Sequence, residues 1–100
     1  MAFEMTVALT VTDDKVYEDY RNAMRPLLEK FGSGFRFDFV VSKVLISASE
    51  LSINRVFAIY FKDRSAKEEF FSNPEYKSVR AKFFEHSVAT TTIIGEYERV

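Results

Sequence analysis

Arg36 and Asp38 stand two apart in a strand-forming stretch, so the spacing expects both side chains on one face of a sheet. Asp38 held by Arg36 reads at first as a general base. An adjacent guanidinium lowers a carboxylate's pKa, however, whereas a base working near neutrality needs it raised. An ion pair is the expected role, with Arg36 the better candidate as an anchor for a carboxylate or enolate. Tyr17 and Tyr20 share a helix face, and Tyr76, Arg80 and Phe84 form an i, i+4, i+8 stripe. Aromatic residues at helical spacing ordinarily build core and send a phenol toward the surface. The functional version of the same pattern has Tyr17, Tyr20, Tyr76 and Arg80 binding a ligand in a pocket. Arg55, beside Asn54, opens an apolar run, where it pairs with a carboxylate or reaches the ligand. His86 is the only histidine and sits in the last turn of a helix, where an imidazolium favours the negative end of the dipole. Its functional alternatives are a general acid or a single axial ligand to haem. The catalytic candidates are therefore His86, Asp38 and Tyr76.

The same inventory excludes much. The chain has no cysteine, so thiolate catalysis, disulfides, iron–sulfur clusters and cysteine-based zinc sites are ruled out. One histidine cannot build a His-rich metal site or an HExxH motif, and no nucleophile elbow accompanies it. No metal and no cofactor are expected. Gly32-Ser33-Gly34 reads as a helix cap and turn rather than a phosphate loop, because no helix and no Lys or Ser/Thr follow at the required spacing. A formal net charge of −1 offers no excess of cations to neutralise phosphates, so nucleic acid is not an expected partner. No apolar run approaches bilayer length and the N-terminus shows no basic or apolar leader pattern, which predicts a cytoplasmic protein without membrane association.

The elements that must position these residues follow from periodicity. Phe3, Met5, Val7, Leu9 and Val11 alternate with Glu4, Thr6, Ala8 and Thr10, giving a strand with one buried face and one face of Thr and Ala. Thr12-Asp13-Asp14 caps a helix carrying Val16, Tyr20, Ala23, Leu27 and Phe31, with a bend expected at Pro26. Phe35, Phe37, Phe39 and Val41 then alternate with Arg36, Asp38, Val40 and Ser42, which places the aromatic row under helices and extends the strand through Ile46. Arg55 to Phe61 is an unbroken β-prone run, read as a central strand. Asp63 and the Ser65-Ala66-Lys67-Glu68 pattern start a short helix, Ser72-Asn73-Pro74-Glu75 starts a longer one, and Ser87 to Tyr97 is a last strand.

The order strand, helix, strand, strand, helix, strand is the split βαβ plan of a ferredoxin-like α+β fold, one domain over residues 1–100. Its antiparallel-type sheet of four strands carries both helices on one face. The uncovered face, with Thr6, Ala8 and Thr10, is less polar than solvent selects, and a second copy packing sheet against sheet is the expected cover.

Tyr17 and Tyr20, Pro26, Phe31-Gly32, Arg55, Phe61 and especially Ser72-Asn73-Pro74-Glu75-Tyr76 resemble the small bacterial proteins grouped as domain of unknown function 1330, within the dimeric α+β barrel superfamily. Gly32-Ser33 stands where that family has paired glycines, and Tyr60 and Lys62 stand where an acidic residue and a proline flank the Phe. The resemblance implies a homodimer whose two sheets form a barrel, with a pocket between sheet and helices in each subunit. Superfamily members include cofactor-free monooxygenases, haem-degrading enzymes and isomerases of aromatic catabolism. Two function classes stand: a cofactor-independent enzyme, monooxygenase- or isomerase-like, acting on a small apolar or aromatic metabolite; or a non-catalytic module that binds a small molecule or serves as a homodimeric structural unit.

Overall fold

The structure is a computed structural model and describes residues 2–100. Its elements run β1 (Ala2–Val11), α1 (Asp14–Lys30), β2 (Gly34–Val40), β3 (Arg55–Phe61), α2 (Arg64–Ser72), α3 (Pro74–Val79), a π-helical turn (Arg80–Phe84), α4 (Glu85–Ser87) and β4 (Val88–Arg99). The helix starts are set by short side chains that accept from otherwise unpaired N–H groups. Asp13 accepts from Val16 N–H at 3.1 Å and Asp63 from Ala66 N–H at 2.8 Å. Asn73 takes Glu75 N–H at 2.8 Å and Tyr76 N–H at 3.2 Å, with Pro74 at the first helical position. α1 runs unbroken through Pro26 and ends in a Schellman motif: Ser33 N–H reaches Leu28 C=O at 3.0 Å, Gly32 N–H reaches Glu29 C=O at 3.1 Å, and Gly32 takes the required positive φ of 64°.

The strands form one antiparallel sheet in the order β2-β3-β1-β4. β1 and β3 lie side by side at its centre, as the ferredoxin-like plan requires, and the helices cover one face. The sheet is open. β2 and β4 are its two edges and do not pair with each other, so the barrel implied by the superfamily resemblance is corrected to an open, four-stranded ferredoxin-like sheet. The physical reason is width: closure needs the two edge strands to hydrogen-bond to each other, and four strands are too few to curl round until β2 and β4 meet. Among the described residues no helix is long and apolar enough to cross a membrane.

Phe3, Met5, Val7, Leu9 and Val11 pack against Phe57, Ile59 and Phe61 of β3 and against Tyr17, Tyr20, Met24, Leu28, Phe70 and Tyr76 of the helices. This is the core, on the helix side of the sheet. β2 departs from the expected alternation. Phe35 pairs with Ile59 and Phe37 with Ala58, so Arg36 is an extra residue in a β-bulge. One inserted residue reverses every side chain after it. Phe35 lies under the helices, but Phe37 and Phe39 emerge on the open face, 46% and 54% exposed, with their rings stacked at 5.8 Å. The strand also stops at Val40 rather than Ile46. Residues 41–54 form an irregular connection, and Val44, Leu45 and Ile46 are exposed on it.

Candidate functional site

Between sheet and helices lies a cavity of about 320 Å³, at the lower end of the range for ligand pockets. Its floor is apolar, formed by Met5, Val7 and Leu9 of β1 with Phe57 and Ile59 of β3. α1 supplies Tyr17, Tyr20 and Arg21 because a 3.6-residue period returns positions 17, 20, 21 and 24 to the same buried stripe. Tyr76, Arg80 and Phe84 reach it from the other wall. The π-helical turn begins at Arg80, and Glu85 N–H bonds Arg80 C=O across the widened turn. Such turns are rare and concentrate at functional sites.

The polar groups of the cavity are phenols and cations. The Tyr20 and Tyr76 hydroxyls meet at 2.8 Å, both residues only 4% exposed. Burial pushes the Tyr20 phenol well above its ordinary value of 10.0, and burial raises Tyr17 and Tyr76 as well, against the neighbouring Arg21 and Arg80 guanidinium groups. All three are neutral phenols at physiological pH. Arg21 is buried and held at each of its three nitrogens: its Nε donates to the Tyr17 hydroxyl at 2.8 Å, its guanidinium donates to Asp38 at 3.0 and 3.3 Å, and it stacks 3.9 Å from the Phe35 ring centre.

The structure brings Tyr17, Tyr20, Tyr76 and Arg80 to one cavity and places the other sequence-derived candidates elsewhere. Arg36 and Asp38 are not a pair, because the bulge sends them to opposite sides. Asp38 lies on the helix side between Arg21 and Arg55, which donates to it at 3.0 and 2.9 Å. Burial raises the Asp38 carboxyl, but the two guanidinium groups outweigh it and hold the pKa below its ordinary value. Arg36 lies on the open face and donates to Glu4 at 2.6 and 2.8 Å. His86 is exposed on α4, outside the cavity lining.

Two charged residues escaped the sequence reading. Arg21 was legible only as a member of the α1 buried stripe, four residues after Tyr17. Glu4 is the lone carboxylate in a face of Thr and Ala, and that was its signal; it is fully buried, held by Arg36, by Arg99 at 3.1 Å and by the Tyr97 hydroxyl. The hydrogen bond from Arg36, opposed by burial and aided by Tyr97 and Arg99, lowers its pKa to about 2. Among the described residues no group of three or more His, Cys, Asp or Glu is placed to hold a metal ion.

The family model described as domain of unknown function (DUF1330) matches residues 5–97. The chain belongs to the DUF1330 family. No curated protein matches it. Among solved structures, a protein of unknown function from Rhodopseudomonas palustris is similar with a TM-score of 0.84 at 16% identity, covering 99% of this chain and 82% of that one. A hydroxynitrile lyase from Passiflora edulis aligns with a TM-score of 0.68 at 10% identity over 96% of this chain and 91% of its own. A dimeric protein of unknown function and ferredoxin-like fold from Bacteroides fragilis aligns at 0.62 and 16% identity, over 98% and 96%. At these identities the likeness is one of fold, and this DUF1330 chain's chemistry must come from its own cavity.

Proposed function

We propose that this DUF1330 protein binds a small, largely apolar or aromatic molecule in the cavity between its sheet and helices. The observation that carries the reading is a largely apolar pocket of about 320 Å³, open at the surface, with the Tyr20–Tyr76 hydroxyl pair built into its wall. Binding is better supported than an isomerase- or monooxygenase-like reaction. Proton abstraction needs a base poised near neutrality, whereas the phenols here are held protonated, and Glu4 and Asp38 are ion-paired with lowered pKa values.

The test is a screen of small one- and two-ring aromatic compounds followed by amide NMR shifts. Binders should perturb residues around Tyr20, Tyr76 and Phe57, and Thr91→Trp at the lining of the cavity should abolish those shifts. Binders that perturb only the open face, or that bind Thr91→Trp equally well, would overturn the proposal.

The working unit in this reading is a homodimer formed through the open face of the sheet. Support comes from the stacked, exposed Phe37 and Phe39 beside Val56 and Ala58, an apolar patch of the kind that marks interaction surfaces. A monomer in sedimentation equilibrium at micromolar concentration contradicts it.

A further inference from the structure

The donor and acceptor balance of the cavity specifies its ligand more narrowly, granted the binding reading above. Two phenolic hydroxyls facing each other hold two hydrogens, and one suffices for the bond between Tyr20 and Tyr76 at 2.8 Å. The second has no side-chain acceptor among the described hydrogen bonds. Tyr17 repeats the situation: its oxygen accepts from Arg21 Nε, so its own hydrogen is left over. Each of these buried oxygens thus has a partner, yet among the described residues two of the O–H groups have no protein acceptor. A buried donor without an acceptor is costly, and a bound acceptor relieves it.

Charge points the same way. The charged lining comprises the cations Arg21, Lys67 and Arg80, and among the described residues no carboxylate lines the cavity. Each cation meets its acid outside the cavity lining: Asp38 takes Arg21 at 3.0 Å, Glu85 takes one Arg80 nitrogen at 3.1 Å and Glu96 sits 3.7 Å from Lys67. Arg80 keeps further N–H donors while stacking 4.9 Å from the Phe84 ring centre on the cavity wall. A cationic ligand would find donors where it needs acceptors, and a neutral hydrocarbon would leave the hydroxyl hydrogens without a partner.

We propose that the cavity takes a hydrophobic monocarboxylate of one or two rings, its body on the apolar floor and its carboxylate accepting from the Tyr20–Tyr76 pair beside Arg80. The size follows from the roughly 320 Å³ available, which suits such an acid and excludes a dinucleotide.

The experiment measures dissociation constants by NMR or calorimetry at pH 7 for matched sets: benzoate and 1-naphthoate, their primary amides, and benzylamine and 1-naphthylmethylamine. The acids should bind at least about tenfold more tightly than their amides, the value of one charge-assisted hydrogen bond, and the amines should not compete. Arg80→Gln, at a half-exposed site, and the double substitution Tyr20→Phe with Tyr76→Phe, which removes both hydroxyl donors, should each erase most of that acid preference, weakening the acids more than the amides. Amides or amines binding as tightly as acids overturn the carboxylate assignment and leave the cavity reading intact. An acid preference that survives both substitutions also overturns it. No binding by any of the compounds defeats both.

Discussion

The two faces of the sheet solve the problem of polar groups in opposite ways. Toward the helices, neutral phenols and a buried guanidinium interrupt an apolar floor, and hydrogens are left over. Toward the open side, Glu4 is saturated: Arg36, Arg99 and Tyr97 converge on its two oxygens, and the N–H groups the two guanidinium groups have left face solvent rather than a cavity. The first arrangement invites a ligand. The second ties β2 and the end of β4 to β1 and leaves the stacked Phe37 and Phe39 as the exposed apolar surface. The contrast teaches that burial of charge does not by itself mark a site; surplus hydrogen-bonding capacity beside open volume does.

Truncation should separate the faces most sharply. Phe70 is fully buried among Phe31, Phe61, Phe71 and Tyr76 on the helix side, so Phe70→Ala should lower unfolding free energy by about 3–5 kcal/mol. Denaturant melts of that variant, set beside Phe39→Ala on the open face, measure the asymmetry. A loss under 1 kcal/mol for Phe70→Ala would mean that the helices are not the main cover of the core.

Acid stability sharpens the comparison next. The folded pKa of Glu4 lies at about 2 against an ordinary 4.5. A depressed folded pKa stabilises the native state above the unfolded value and loses that contribution as pH falls from about 4.5 toward 2. Asp38, lowered by Arg55 and Arg21, acts with the same sign. Thermal melts of the parent should therefore decline through this window, and Glu4→Gln should start lower at pH 7 and decline less steeply. Parallel curves for the two proteins would remove Glu4 from the acid limb.

The smallest effect is expected at Phe39. Because its ring is about half exposed in the single chain, Phe39→Ala should change monomer stability by no more than about 1 kcal/mol. Measured at concentrations where the proposed dimer would form, the same substitution should cost more, since it also weakens the proposed interface. Equal costs at both concentrations argue that the open face is not where copies meet.

Much of the frame was legible without coordinates. Asp13, Asp63 and Asn73-Pro74 announce the three main helix starts through chemistry that acts within three or four residues, and the period-two pattern of Phe3 to Val11 assigns the core face of β1 correctly. The Tyr76, Arg80, Phe84 stripe likewise converges on the cavity, since helical spacing carries over the local widening at Arg80. Asp38 and Arg36 were misread for a different reason. Their spacing predicts one face only if β2 has no bulge, and a bulge exists only in relation to the partner strand β3.

What the sequence by itself determined is therefore the set and order of elements, their caps, and the ferredoxin-like plan, because these rest on interactions between near neighbours in the chain. What only the tertiary structure decided is the side on which β2 presents its residues after Arg36, the open rather than closed sheet, and the partners of buried charge. Glu4 meets Arg36 across 32 positions and Arg99 across 95; such pairs depend on strand register, and a shift of one residue in register reverses the face on which a side chain finds itself.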